Sequence, residues 1–243
     1  MEEKNVEKKY AFTEEVIEFH GRTLHRIKAI RDFGNVKNGE LGGFIEKEQN
    51  LSHKCKSWVS DNAKVYDNAV VCDNALVYDN AWVSDNANIS DNANVCGNAK
   101  VYDDANVYGN TRVCDNVLVY GRASVCGDAW VYDNAKVYGN ARVSNNARVY
   151  DNAKVYGNVL VYGRASVCGD AEVSKFEDYI VFKNWWSSGR YFTWTRSNDM
   201  WRVGCFYGTG DELIKKAYED DEEKGKHYEE IVKYVEKCVL NKK

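Results

Sequence analysis

Three lysines and four tyrosines recur at multiples of eighteen residues in the middle of the chain: Lys100, Lys136 and Lys154, with Tyr102, Tyr120, Tyr138 and Tyr156. Cations beside stacked rings are the chemistry of surfaces that hold single-stranded nucleic acid or planar anionic ligands, the rings serving as platforms and the ammonium groups as anion partners. The same residues equally suit a ladder of tyrosines that stabilises stacked chain and binds nothing. Both uses require a scaffold that brings residues eighteen apart into one column. A second candidate pair, Trp185 and Trp186, is adjacent in an alternating apolar stretch, so in a regular strand the two rings point to opposite faces and one is a candidate surface contact.

The scaffold is legible as a six-residue repeat. Val or Ile stands at every sixth position from Val59 to Val173, twenty positions without a slip of register, with Ile89 the one Ile. Four residues after each of the first nineteen comes a small side chain, Ala in sixteen cases, with Thr111, Val117 and Val159 as exceptions. Six residues are too few for a helical repeat and carry no 3.6-residue period, so short strands joined by corners are expected. The β-branched residue suits a pleated inward position, and Ala a crowded inner corner. Asp-Asn, Gly-Asn and Gly-Arg pairs supply residues that tolerate left-handed backbone at the corners. Three such sides close a coil of eighteen residues, and residues 58–174 make about six and a half coils, roughly 30 Å of solenoid at ~4.8 Å per coil. The chain has no proline, as expected where nearly every N–H enters a ladder.

These hexapeptides resemble the YdcK-type β-solenoid family, and the stretch from His25 to Val65, HRIKAIRDFGNVKNGELGGFIEKEQNLSHKCKSWVSDNAKV, is similar to that family's entry segment. The resemblance implies a three-sided, left-handed parallel β-helix; the hand comes from the resemblance alone, since crossover statistics favour the opposite one. Hexapeptide acyltransferases use a histidine base and a loop inserted in the repeat. Here His20, His25, His53 and His227 all lie outside residues 59–173, and nothing interrupts the lattice. The carbonic anhydrases on this fold need three histidine ligands, which these coils do not supply. No metal or cofactor is expected.

The position after each Val, read as outward, is always Tyr, Cys or Ser, and the next interchanges Asp, Gly and Asn. NVLVYGRASVCGDAWV at 116–131 returns as NVLVYGRASVCGDAEV at 158–173, an offset of 42 residues, which is not a whole number of coils and so moves every side chain to another face. Much of the outer surface therefore reads as drift after duplication. Residues 57–110 hold eight acidic and two basic residues, and 111–174 hold six and seven, leaving one end acidic. The eight cysteines show no metal-ligand spacing, and reduced thiols are expected, although Cys96 and Cys114 fall on adjacent coils where a bridge is conceivable.

Residues 1–57 read as a charged tail followed by a β-hairpin around His20-Gly21-Arg22 that plugs the solenoid's open end. Residues 175–243 read as a small α+β domain: three strands in YIVFKNWW, RYFTWTR and MWRVGCFY, then two helices, the first begun by the capping box Thr209-Gly-Asp-Glu212. This last region resembles a domain of uncharacterised prophage-encoded proteins. The fold expected is thus mainly β, with a β cap and a C-terminal α+β unit. The function expected is a non-enzymatic, phage-associated scaffold or protein-binding module. A phage inhibitor of a host enzyme or defence protein, and a hexapeptide acyl- or nucleotidyl-transferase with a site shared between subunits, are the alternatives. The expected partner is a protein, with nucleic acid or an anionic ligand as the alternative for the lysine and tyrosine face, and self-association, if any, through residues 175–243. With 33 basic and 37 acidic residues, net charge −4, the whole chain has no nucleic-acid-binding excess. No apolar run is long enough for a signal peptide or membrane span, so a cytoplasmic location is expected.

Overall fold

A computed structural model describes residues 7–184 and 189–240. From Trp58–Val59 to Glu172–Val173 each hexapeptide contributes one two-residue strand, or rung. Every internal rung pairs in parallel with those eighteen residues before and after it, as Lys100 does with Trp82 and Leu118. The rungs form three sheets, one for each side of the coil. Within a rung the first residue faces out and the Val faces in, and the valines of all three sides, together with the corner alanines, are buried along the axis.

The corners explain the rest of the repeat. Asp61, Asp79, Asp103 and Asp133 are among the aspartates held at φ between 56° and 59°, a left-handed conformation that Asp, Asn and Gly tolerate best. Their carboxylates accept from the backbone N–H one coil on, Asp79 from Gly97 at 3.0 Å and Asp91 from Gly109 at 2.9 Å. The next residue builds side-chain columns in which Asn98, Asn116, Asn134 and Asn152 each donate to the residue eighteen further on, ending at Asp170. The interchange of Asp, Gly and Asn at these corners is therefore more than drift: the aspartates are axial hydrogen-bond acceptors. Nor is the position after Val uniformly exposed, because Tyr66, Cys96, Cys126, Tyr150 and Cys168 are buried. Cys96 and Cys114 are joined in a disulfide with Cα atoms 4.5 Å apart, which corrects the expectation of reduced thiols for that pair.

At the lower end, β1 (Tyr10–Phe19) and β2 (Arg22–Ala29) form the hairpin, turning through His20 and Gly21 at φ 51° and 74°, the left-handed pair of a tight two-residue turn. β3 (Leu41–Ile45) pairs antiparallel with β2 and in parallel with the rung Lys64–Val65, so the hairpin extends one side of the solenoid. Gly43 permits this approach, since a Cβ there would stand 2.6 Å from the Ala63 carbonyl oxygen. Tyr10, Ile27, Phe33, Val36, Ile45 and Leu51 join the same apolar core as the coils and close its end.

At the upper end the C-terminal sheet has four antiparallel strands, Tyr179–Lys183, Tyr191–Thr195, Met200–Val203 and Phe206–Gly208. Three were expected; Gly204, at φ 59°, folds MWRVGCFY into two. Helix α1 (Gly210–Asp220) starts at the capping box, in which the Glu212 N–H donates to Thr209 Oγ1 at 3.3 Å and the Thr209 N–H to Glu212 Oε2 at 2.8 Å. Helix α2 (Glu222–Leu240) lays Tyr228, Val232 and Val235 against Phe192, Trp194 and Trp201. This unit sits on the last coil: Tyr179 enters the solenoid core and its hydroxyl donates to the Leu160 carbonyl at 2.8 Å, while the Ser166 N–H donates to Thr193 Oγ1 at 2.9 Å. Trp185 and Trp186 lie outside the described residues. Among those described, no helix is long and apolar enough to cross a membrane.

Candidate functional site

The side of the solenoid that continues into β3 carries the lysines and tyrosines. Lys100, Leu118, Lys136, Lys154 and Glu172 follow one another in register up this sheet. Beside them Tyr102, Tyr120, Tyr138 and Tyr156 form one stack, with successive centroids 5.0, 4.9 and 5.0 Å apart and planes within 5° of parallel. The coil spacing sets that separation. Partial burial raises the hydroxyl pKa of Tyr102 and of Tyr138, and the adjacent phenols push the same way.

The lysines are not a bare column of charge. Lys100 Nζ lies 4.0 Å from the centroid of Trp82, a cation–π contact one rung below. Lys154 Nζ donates to Glu172 at 2.7 Å, and the Tyr156 hydroxyl to the same carboxylate at 3.4 Å. That pair raises the pKa of Lys154 and lowers that of Glu172. Asp103, at the adjoining corner, accepts from the Gly121 backbone N–H at 3.0 Å. Among the described residues Lys136 is the one lysine of the three without an ion pair or ring partner.

Lys100 and Tyr102 also share a recess of about 380 Å³ with Trp82, Tyr66 and His20. Its lower wall is the hairpin turn: Phe19 packs edge-on against Trp82 with centroids 4.8 Å apart, and the His20 ring lies 5.1 Å from the same indole. The seven solenoid residues singled out thus divide. Lys100 and Tyr102 line a concavity, whereas Tyr120, Lys136, Tyr138, Lys154 and Tyr156 form a ladder above it. His20 and Trp82 complete the concavity and were missed as site residues. Trp82 is in phase with Lys100, but nothing local in the sequence says that a hairpin tip 62 positions from Trp82 folds onto it.

Among the described residues no group of three or more His, Cys, Asp or Glu side chains is arranged to hold a metal. A family model described as YdcK Beta solenoid repeat matches residues 71–85, 135–151 and 147–163. No curated protein matches the chain.

Proposed function

We propose that this chain, whose solenoid matches the YdcK β-solenoid repeat over three segments, is a non-enzymatic binding scaffold, a rigid rod that holds a protein partner. The observation that carries the reading is the use to which the corner side chains are put. Carboxylates and amides that an enzyme would turn toward substrate are spent along the axis, Asp on the next coil's N–H and Asn on the next coil's Asn. A lattice so tied resists bending, because each coil is held by its neighbours through backbone and side chain alike. What remains for recognition is concentrated at the ends, in the His20–Trp82–Lys100 recess and on the C-terminal unit. The resemblance of residues 175–243 to prophage-encoded proteins supports a phage-associated setting.

Affinity purification from the native host, with and without nuclease, tests the reading. The expected result is a protein partner retained in stoichiometric amount after nuclease treatment. Co-purification of nucleic acid alone, or acyl transfer from acetyl-coenzyme A to amines or sugars by the purified chain, overturns it.

A further inference from the structure

Four arginines from separate parts of the chain converge where the solenoid meets the C-terminal sheet. Arg148 projects from a rung, Arg164 from the corner two residues before the rung Ser166–Val167, Arg202 from the strand Met200–Val203, and Arg190 stands just before the strand Tyr191–Thr195. Together with Tyr191 they line a recess of about 480 Å³, to which no Asp or Glu among the described residues contributes. In a chain of net charge −4, this is a local concentration of positive charge against the global balance.

Arg148, Arg164 and Arg202 form no ion pair among the described residues. Each lies instead over a ring: Arg148 is 5.2 Å from the centroid of Trp130, Arg164 5.5 Å from Tyr191, and Arg202 5.7 Å from Tyr150. An arginine held over a ring is pre-oriented while keeping N–H groups for bonds to phosphate oxygens, Arg202 having one of its own committed to the Cys205 carbonyl at 3.2 Å. Arg148, Arg164 and Arg202 bring like charges round one space with no ion pair among the described residues, and a bound polyanion offsets their repulsion. The volume falls within the ~300–1,000 Å³ of small-molecule sites. Below the recess the positive strip runs only through Trp130 to Arg112, two rungs down, before Asn94 and Leu76 replace it. That length suits a compact ligand better than a continuous nucleic-acid strand.

We propose that this recess binds a small ligand carrying two or more linked phosphates, either an inorganic oligophosphate or the phosphate chain of a nucleotide. The test is calorimetric titration of the full chain with sodium tripolyphosphate, with ATP, and with a single-stranded oligonucleotide. Saturable binding of tripolyphosphate that weakens with added salt is expected. Arg164→Glu and Arg202→Glu should each weaken it at least about tenfold, as expected when a charge-assisted contact is reversed. Arg122→Glu, on an exposed corner near Asp104, should leave it unchanged. Equal affinity for ATP and tripolyphosphate assigns the site to the phosphate chain alone, and tighter ATP binding assigns it to a nucleotide; both support the proposal. Where a reversal variant melts early, Arg148→Gln, on an exposed rung, is the replacement, and circular dichroism confirms that it is folded. No saturable binding at millimolar tripolyphosphate, or equal weakening by Arg122→Glu, overturns the proposal. So does an oligonucleotide that binds far more tightly and depends on Arg112 and Trp130, which would make the strip a nucleic-acid surface.

Discussion

Asp103 sits in left-handed backbone at φ 58° while its carboxylate accepts from the N–H of Gly121, one coil later, at 3.0 Å. One side chain thus serves both the corner's geometry and the next corner's hydrogen bond. Asp103→Ala removes the acceptor and leaves a residue poorly suited to that φ, and should cost about 1–2 kcal/mol in urea unfolding. Asp103→Asn should cost less, since Asn145 already occupies a corner at φ 59°. Equal stability of the Ala variant and the parent would show that the axial bond contributes nothing.

Thr111 replaces Ala at an inner corner, where it is fully buried and its hydroxyl has no hydrogen-bond partner among the described residues. Val is accepted at the same position of other coils, in Val117 and Val159. Thr111→Val keeps the shape and removes the orphan hydroxyl, so it should stabilise the protein by about 1 kcal/mol or more. A destabilised Val variant would mean that the hydroxyl is satisfied.

Tyr120 stacks on both Tyr102 and Tyr138, whereas Tyr156, at the end of the ladder, stacks on Tyr138 alone. At about 0.5–1.5 kcal/mol per aromatic pair beyond area burial, Tyr120→Ala should cost more than Tyr156→Ala. Chemical denaturation of the two variants checks this, and equal, negligible costs would remove the ladder's structural role and leave the face free for another.

Lys9 is fully buried at the lower cap, where its ammonium donates to the Ser57 carbonyl at 2.6 Å. Loss of hydration lowers its pKa from 10.5 to about 8, Arg31 pushing the same way and Cys55 opposing. Between pH 8 and 10.5 the unfolded chain therefore holds a proton that the folded chain has lost, so this group's contribution to stability rises with pH in that window and is flat below it. Burial raises the pKa of Tyr10, and that of Cys72 to about 11; these groups act in the opposite sense at the alkaline end. The contribution of Lys9 is isolated by comparison with Lys9→Met: the melting temperature of the parent relative to the variant should increase from pH 7.5 to about 9.5. A constant difference would mean that Lys9 titrates as it does in water.

The period in Val59, Val65 and their successors is enough to place every rung, and the phase of eighteen puts Lys100, Lys136 and Lys154 on one side of the coil. Period-two burial and coil stacking are local rules, and they propagate without error while the register holds. What sequence did not disclose depends on pieces remote in the chain. His20 reaches Trp82 only because β3 pairs with the rung Lys64–Val65, and the arginines meet only because Tyr179 docks the C-terminal sheet on the last coil. Gly204 was legible as a turn residue, but in MWRVGCFY the alternation on either side concealed it. The corner aspartates are hidden for a different reason: a residue that interchanges with Gly looks dispensable, because its acceptor role toward the next coil has no local signature.

The central claim is that the solenoid is a rod and recognition lies at its ends. Excising residues 124–141 removes one coil of eighteen residues in register and leaves the Cys96–Cys114 bridge, the His20–Trp82 recess and the C-terminal docking residues in place. Quantitative capture from the native host with the shortened and the full chain is the most direct measurement. The account predicts the same partner, retained to the same extent, by a shortened chain that still unfolds cooperatively. Loss of the partner by a cooperatively folded shortened chain would place the binding site on the lattice itself and contradict the account.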